Sequence, residues 1–282
     1  MIKTVLITGS STGLGNTTAR KFADEGWNVV ATMRKPDQRL AEEYPERILV
    51  TELDVTNPAS IEAAIAAGAA RFGRIDTVVN NAGVSILSIF EATPMNVVRG
   101  VFETNVFGVM NVIRAITPHF REQGGGTVVN ISSSVGFAAT PLLAAYVASK
   151  HAIEGLTESL SYELESQNIS VKLVEPGAIR TTSFTSNTMS ASQDVSIPSS
   201  YQFYYAHMMQ AMMNYPFEDA DEKQVAERVY DAACDESDRL RYIAGPDAEE
   251  MAKLRFSQSE EEYLTSMRDL MGQTAWRAMH EK

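Results

Sequence analysis

Short β-branched runs alternate with helix-length amphipathic segments along most of this 282-residue chain. Thr4-Val5-Leu6-Ile7, Asn28-Val29-Val30-Ala31, Ile48-Leu49-Val50, Thr77-Val78-Val79, Thr127-Val128-Val129-Asn130-Ile131 and Ser170-Val171-Lys172-Leu173-Val174 read as strands. Most are short and almost continuously apolar, as parallel strands covered on both faces are. Helices are predicted between them near 14–26, 58–72, 96–122 and 145–167, the last with a core stripe of Ile153, Leu156, Leu160 and Leu164. A helix near 221–236 and a seventh strand at Arg241-Tyr242-Ile243-Ala244 follow. Repeated βα units leave few topologies open. The expected class is α/β, a doubly wound parallel sheet of about seven strands with helices on both faces and right-handed crossovers.

An apolar fraction of 44% and a charged fraction of 21% are ordinary for a globular protein. The net charge of -12 argues against nucleic acid as a partner, which needs a basic footprint. No run approaches the roughly 18 apolar residues that a membrane span requires. One lysine and a short apolar run before Thr8 do not resemble a signal peptide. Cys234 is the only cysteine, so no internal disulfide forms, and no Cys/His cluster has metal-ligand spacing. A cytoplasmic protein with no metal is therefore expected. Neither repeat nor linker interrupts the pattern, which predicts one domain over 1–282. After Pro176 the pattern loosens. Residues 183–216, rich in Ser, Thr, Met, Tyr and Phe, read as an irregular, mobile insert, and 247–282 as a polar helical extension.

Directly after the first strand comes Thr8-Gly9-Ser10-Ser11-Thr12-Gly13-Leu14-Gly15. Glycines between a strand and a helix permit a tight turn and let backbone N–H groups approach a pyrophosphate at the positive helix end. The same letters satisfy the G-x-S-x-G hydrolase elbow, with Ser11 as nucleophile. That reading needs earlier strands and an oxyanion loop upstream, and only a few residues precede it. Farther along, Tyr146 and Lys150 stand one helical turn apart and share a face. An ammonium close to a phenol lowers a tyrosine pKa from about 10 and suits it to acid–base work near neutrality. Ser133 lies thirteen residues upstream of the tyrosine, at the end of a strand.

Together these motifs resemble the short-chain dehydrogenase/reductase family. Gly9, Gly13 and Gly15 fit its TGxxxGxG, Leu53-Asp54-Val55 its adenine-binding site after the third strand, and Asn80-Asn81-Ala82-Gly83 its NNAG. Asn105 in Thr104-Asn105-Val106-Phe107-Gly108 matches its helix asparagine. Asn130-Ile131-Ser132-Ser133, Tyr146-xxx-Lys150 and Pro176-Gly177-Ala178-Ile179-Arg180-Thr181 complete the set. The likeness runs from about residue 3 to 182, in the family's order and spacing, and it points to the branch of hydroxysteroid and retinol dehydrogenases and carbonyl reductases.

The resemblance implies a Rossmann fold and a nicotinamide enzyme acting on a carbonyl or alcohol. Tyr146 would exchange a proton with the substrate oxygen, and Ser133 would hydrogen-bond that oxygen. Lys150 would hold the nicotinamide ribose and depress the Tyr146 pKa. Asn105 would distort its helix to hold a relay water. Cofactor contacts would come from Gly9, Ser11, Thr12, Gly13, Leu14, Gly15, Asp54, Val55, Asn81, Ala82, Gly83, Pro176, Gly177, Ile179 and Thr181. Met33 stands where NAD-preferring members carry an acid, and Arg34 follows it, so NADP(H) is expected over NAD(H). The insert at 183–216 would form a lid. Its methionines and aromatics favour a small, hydrophobic ketone, aldehyde or alcohol. Family members commonly pair helices equivalent to 96–122 and 145–167, which implies a homodimer or homotetramer. A regulatory protein that binds NADP without catalysis is the alternative, although this chain keeps Asn105, Ser133, Tyr146 and Lys150.

Overall fold

The computed structural model describes residues 2–280; Met1, Glu281 and Lys282 lie outside the described residues. Its frame is one parallel sheet of seven strands in the order β3-β2-β1-β4-β5-β6-β7. In chain order, β1 (Thr4–Ile7) leads to α1 (Gly13–Asp24), β2 (Asn28–Met33) to the short α2 (Arg39–Glu43), and β3 (Ile48–Glu52) to α3 (Pro58–Phe72). After β4 (Thr77–Asn80) come α4 (Met95–Phe102) and α5 (Gly108–Glu122). Then β5 (Gly126–Ile131) precedes α6 (Ala144–Glu165), and β6 (Ile169–Pro176) precedes α7 (Ser183–Gln193), α8 (Gln202–Met213) and α9 (Glu222–Cys234). The chain closes with β7 (Arg241–Ala244), α10 (Pro246–Ser257), α11 (Glu260–Leu270) and α12 (Gln273–His280).

Strand residues alternate between two cores. Val5, Ile7, Val29, Ala31, Val79 and Val129 face one side, where Phe22 of α1 and Val225 and Val229 of α9 cover them. Leu6, Val30, Val78, Val128 and Leu173 face the other, under Ile61 of α3, Ile116 and Phe120 of α5 and Ile153 of α6. The period of two thus places one apolar residue in each core per step, which is why the strands read as unbroken apolar runs. Helix ends follow local chemistry. Asn57 caps α3 by accepting from the Ala59 N–H ahead of Pro58, and Gly73, at φ 85°, ends it.

Two segments depart from the sequence reading. The long helix predicted at 96–122 is α4 and α5 joined by a π-helical turn, Glu103–Phe107, with Asn105 at its centre. Residues 183–216, expected to be irregular, hold α7, a 3-10 turn at Ser199–Tyr201 and α8. The helices form because their apolar residues have something to cover: Met208 is fully buried against Leu87, Ile89 and Leu142, with Tyr204, Tyr205, Met209 and Met212 around it. Much of the Met and aromatic content is therefore packing, while Phe203 and Met213 stay exposed. The extension lies on this insert. Trp276 of α12 meets the Tyr204 ring edge-on at 5.3 Å, and His207 Nε2 pairs with the Gly272 carbonyl oxygen at 2.8 Å.

Candidate active site

The strand order reverses between β1 and β4, so a crevice opens beyond their carboxyl ends, the usual ligand position in such sheets. Two turns line it. Thr8 ties them: its Oγ1 accepts from the Asn81 and Ala82 N–H groups, each at 3.0 Å. Asn81 Nδ2 donates to the Thr8 and Gly9 carbonyls at 2.9 and 3.1 Å. Gly9 has φ +72° and a Cβ there would come within 3.0 Å of the Ala82 Cα. At Gly15 a Cβ would overlap the Gly9 carbonyl and the Asn81 amide. Glycine is required at both positions because the two turns lie flush. Gly13 opens α1, and Thr12 before it makes no side-chain capping bond, leaving the first backbone N–H groups of α1 without a side-chain partner.

Beside this helix end lies a cleft of about 300 Å³, lined by Ser11, Thr12, Gly13, Arg20, Met33, Asp37 and Arg39 among others. Ser11 and Thr12 are exposed, Gly15 is buried, and Leu14 packs partly into the core. Arg34 is exposed next to Asp54, whose carboxyl is held below its usual range by hydrogen bonds from Thr56 and by the Arg34 charge. Val55 is buried against Gly108. Asp37 and Arg39, two residues apart at the edge of the cleft and not among the residues expected from the sequence, pair at 2.6 Å.

On the far side of the crevice, Asn105, Ser133, Tyr146 and Lys150 come together. The π turn turns the Asn105 side chain inward. Its Oδ1 accepts from the Val84 N–H at 2.9 Å, and its Nδ2 donates to the Val84 carbonyl at 2.8 Å and to Ser149 Oγ at 3.0 Å. Gly83 faces the same Oδ1. Ser149 donates in turn to the Tyr146 carbonyl at 2.7 Å, fixing the first turn of α6. Lys150 is buried and its Nζ donates to the Ile131 carbonyl at 2.7 Å, 5.6 Å from the Tyr146 ring centre. Ser133, two residues past β5, is half-buried, donates to the Pro176 carbonyl at 3.4 Å and faces the Tyr146 hydroxyl. Ser132 and Ser134 are buried.

The electrostatics differ from the expectation. Burial pushes the Tyr146 phenol up, only partly offset by the hydrogen bond with Ser133, rather than down under Lys150. Burial lowers the Lys150 amine to about 8, with the Glu154 charge opposing. Both groups are desolvated, and the lysine's bond goes to a backbone carbonyl, so the phenolate gains too little to offset the loss of water.

The Pro176–Thr181 turn closes the crevice. Pro176 is buried, Gly177 N–H donates to the Ala244 carbonyl at 2.9 Å, and Ile179 packs partly on the core while Thr181 is exposed. Asp247, at the start of α10, accepts from the Ala178 N–H at 2.7 Å and fills the space a Gly177 side chain would need. In the sequence this support leaves one signal, an acid following Gly245-Pro246 at a strand end. Phe184 of α7 lies 5.7 Å from the Tyr146 ring. His151 is exposed and bonded to the Val147 carbonyl at 3.0 Å, a satisfied structural residue. The other histidines, 119, 207 and 280, also bond to backbone groups, and none pairs with Ser11, so nothing supports the hydrolase elbow.

The family model for short chain dehydrogenase matches residues 3–192. The chain belongs to the short-chain dehydrogenase/reductase family. An uncharacterised oxidoreductase of Schizosaccharomyces pombe is 36% identical over 240 residues, 85% of this chain and all of that protein. A 3-ketodihydrosphingosine reductase of Bacteroides thetaiotaomicron is 38% identical over 183 residues, covering 65% of this chain and 66% of its own. Among solved structures, a short-chain dehydrogenase from Streptomyces avermitilis superposes over the whole chain and 98% of its own, with TM-score 0.78 and 32% identity. ElxO with NADP bound covers 86% of this chain and 98% of its own at TM-score 0.71 and 26% identity. A 3-ketoacyl-(acyl-carrier-protein) reductase from Brucella melitensis complexed with NADH covers 86% and 96%, at 0.71 and 25%. The chain is thus an oxidoreductase enzyme of this family. Among the described residues no helix is long and apolar enough to cross a membrane.

Proposed function

We propose that this enzyme moves hydride between NADP(H) and an apolar ketone, aldehyde or secondary alcohol. The uncapped end of α1 against the flush Gly9–Asn81 contact carries the cofactor reading, since it offers N–H groups and room where a pyrophosphate needs both. The nicotinamide supplies the hydride chemistry. Tyr146 gives its proton to the substrate oxygen during reduction and recovers one during oxidation. Ser133 donates to the same oxygen and stabilises the charge that develops there. Lys150 holds the ribose hydroxyls, Asn105 keeps α6 in register through Ser149 and serves the proton relay, and Asp54, Val55, Ala82, Ile179 and Thr181 bound the cofactor.

Preference for NADP(H) rests on Met33 at the end of β2 and on Arg34, with Arg39 a second cation at the same cleft. Asp37 lines that cleft too and would favour a ribose hydroxyl, but its pairing with Arg39 engages it. An apolar substrate is supported by Phe184, whose ring lies 5.7 Å from that of Tyr146. The 3-keto sphingoid substrate named for the Bacteroides relative agrees with that chemistry. We read the chain as one domain whose segment 183–216 closes over the substrate, working in the cytoplasm as a homodimer or homotetramer. Exposed Phe107 and Tyr162 near α5 and on α6 support pairing there. A spectrophotometric screen of NADPH and NADH oxidation across aromatic, aliphatic and steroidal carbonyls tests the reading. Turnover with none of them, at any pH, would refute it, as would saturating cofactor binding without turnover.

A further inference from the structure

Behind Lys150, away from the crevice, lies a buried acidic pair to which the mechanism gives no role. Glu154 follows Lys150 by one turn of α6 and is buried. Glu175, the last residue of β6 before Pro176, has no solvent exposure. Arg241 of β7 reaches both: its Nε is 3.4 Å from Glu154 Oε2 and 3.6 Å from Glu175 Oε1, and its Nη2 is 2.9 Å from Glu158. Ser132 faces the pair from the end of β5, because a Cβ at Gly136 would meet both Ser132 Oγ at 2.6 Å and Glu154 Oε1 at 2.9 Å. No hydrogen bond within normal geometry satisfies the carboxylate oxygens of either glutamate or the Ser132 hydroxyl.

Two carboxylates so placed do not both ionise at neutral pH. One guanidinium, shared with Glu158 and half-exposed, does not neutralise two buried charges. Lys150 poses the reverse problem, for its ammonium is buried and bonded to an uncharged carbonyl. One turn along α6 the acid is Glu154, and among the described residues no carboxylate, Glu154 included, lies within 4.0 Å of the Lys150 amine, so Glu154 acts on it through space.

We propose that Glu154 is the positioning residue that keeps the buried Lys150 amine charged, with Glu175 and Arg241 setting how much negative charge Glu154 carries. A shared proton leaves the pair with one charge, on the side of Lys150. Glu154 and Lys150 then form a second-turn partnership that extends the Tyr146-xxx-Lys150 face inward, and the ribose and phenol meet an ammonium rather than a neutral amine. Burial raises both glutamates, Glu175 to about 8 with Glu154 as a like-charge neighbour, and the Glu154 charge opposes the fall at Lys150.

The inference rests on the reading of Lys150 as a cofactor-holding residue, but its test does not need cofactor. Lysines labelled at Cε in the full-length, cofactor-free protein report amine ionisation by NMR, with Lys150 assigned by its loss in Lys150→Arg. The wild-type midpoint is expected near 8. Glu154→Gln should lower it by roughly one pH unit or more, the range for losing an opposite charge nearby. Glu154→Asp should restore most of the shift, and Glu175→Gln should leave the midpoint unchanged or raise it. Equal midpoints in Glu154→Gln and the wild type would overturn the proposal, as would Glu175→Gln falling as far as Glu154→Gln. If Glu154→Gln does not fold, Glu175→Gln decides: a lowered Lys150 midpoint refutes, an unmoved or raised one supports. NADPH affinity of Lys150→Ala is a separate result, whose failure to fall would refute the cofactor role alone.

Discussion

Replacing Gly15 with alanine tests whether the contact between the two turns governs both fold and cofactor site. The new methyl would lie 3.0 Å from the Gly9 carbonyl carbon and overlap the Gly9 oxygen and Asn81 Nδ2. Carbon contacts settle at about 3.5–4.0 Å, so the turns must part by roughly 1 Å. Overpacking of this kind typically costs about 1–3 kcal/mol. Parting the turns also stretches the Asn81 bonds to the Thr8 and Gly9 carbonyls, each worth about 1 kcal/mol net. A loss of roughly 2–4 kcal/mol is therefore expected in denaturant unfolding, with an unchanged m-value. NADPH affinity should fall at least tenfold, because the N–H groups at the start of α1 move with the turn. Gly100→Ala is the control. It sits exposed in α4 with nothing within 4 Å of a Cβ, and should stabilise by roughly 0.5–1 kcal/mol without touching cofactor binding. A Gly15→Ala protein as stable as the wild type, with equal NADPH affinity, would refute the reasoning.

Stability should also depend on pH through Glu175. Its folded pKa, about 8, exceeds its ordinary value of 4.5, so the folded state holds a proton that the unfolded state has lost. That contribution is complete below 4.5 and disappears as pH rises to about 8, at up to roughly 1.4 kcal/mol per pH unit. Urea unfolding of Glu175→Gln should lack this fall, and parallel pH profiles for the two proteins would contradict it. Arg34→Ala should weaken NADPH by roughly 1.5–3 kcal/mol, the range for a charge-assisted hydrogen bond, and leave NADH nearly unaffected; equal losses for both cofactors in fluorescence titration would argue against a 2′-phosphate contact. Asp247→Ala leaves the Ala178 N–H without its partner, which should cost about 1–3 kcal/mol by calorimetry and loosen NADPH as the Pro176–Thr181 turn relaxes. Wild-type values in both measurements would show that α10 does not support the turn.

The sheet was legible because each strand feeds two cores at once and so has few polar positions; Val5 and Leu6 point to opposite faces, and both must be apolar. The four central residues were legible because their motifs keep their spacing within single elements or at strand ends. What escaped the sequence depends on contacts between distant segments. The helices of 183–216 owe their order to Met208 buried on Leu87 and Leu142 and to Trp276 from the extension, and serine-rich composition gave no sign of that. The upward shift of Tyr146 needed burial to be known, since Tyr-xxx-Lys spacing alone brings the ammonium near without showing what water is lost. Glu175 did carry a signal: an acid at the inner end of a mostly apolar strand, next to Pro176. Its partner Glu154 looks like any helix glutamate until β6 and β7 are placed beside it.

The decisive measurement is the turnover number of Tyr146→Phe with NADPH and the best carbonyl from the screen. Phenylalanine keeps the ring against Phe184 and removes only the hydroxyl facing Ser133. Fold and NADPH affinity should therefore be retained, while kcat falls by about two to four orders of magnitude, the usual loss of a general acid. A Tyr146→Phe enzyme that binds NADPH and keeps most of its carbonyl-reducing rate would show that the proton comes from elsewhere, and the account would be wrong.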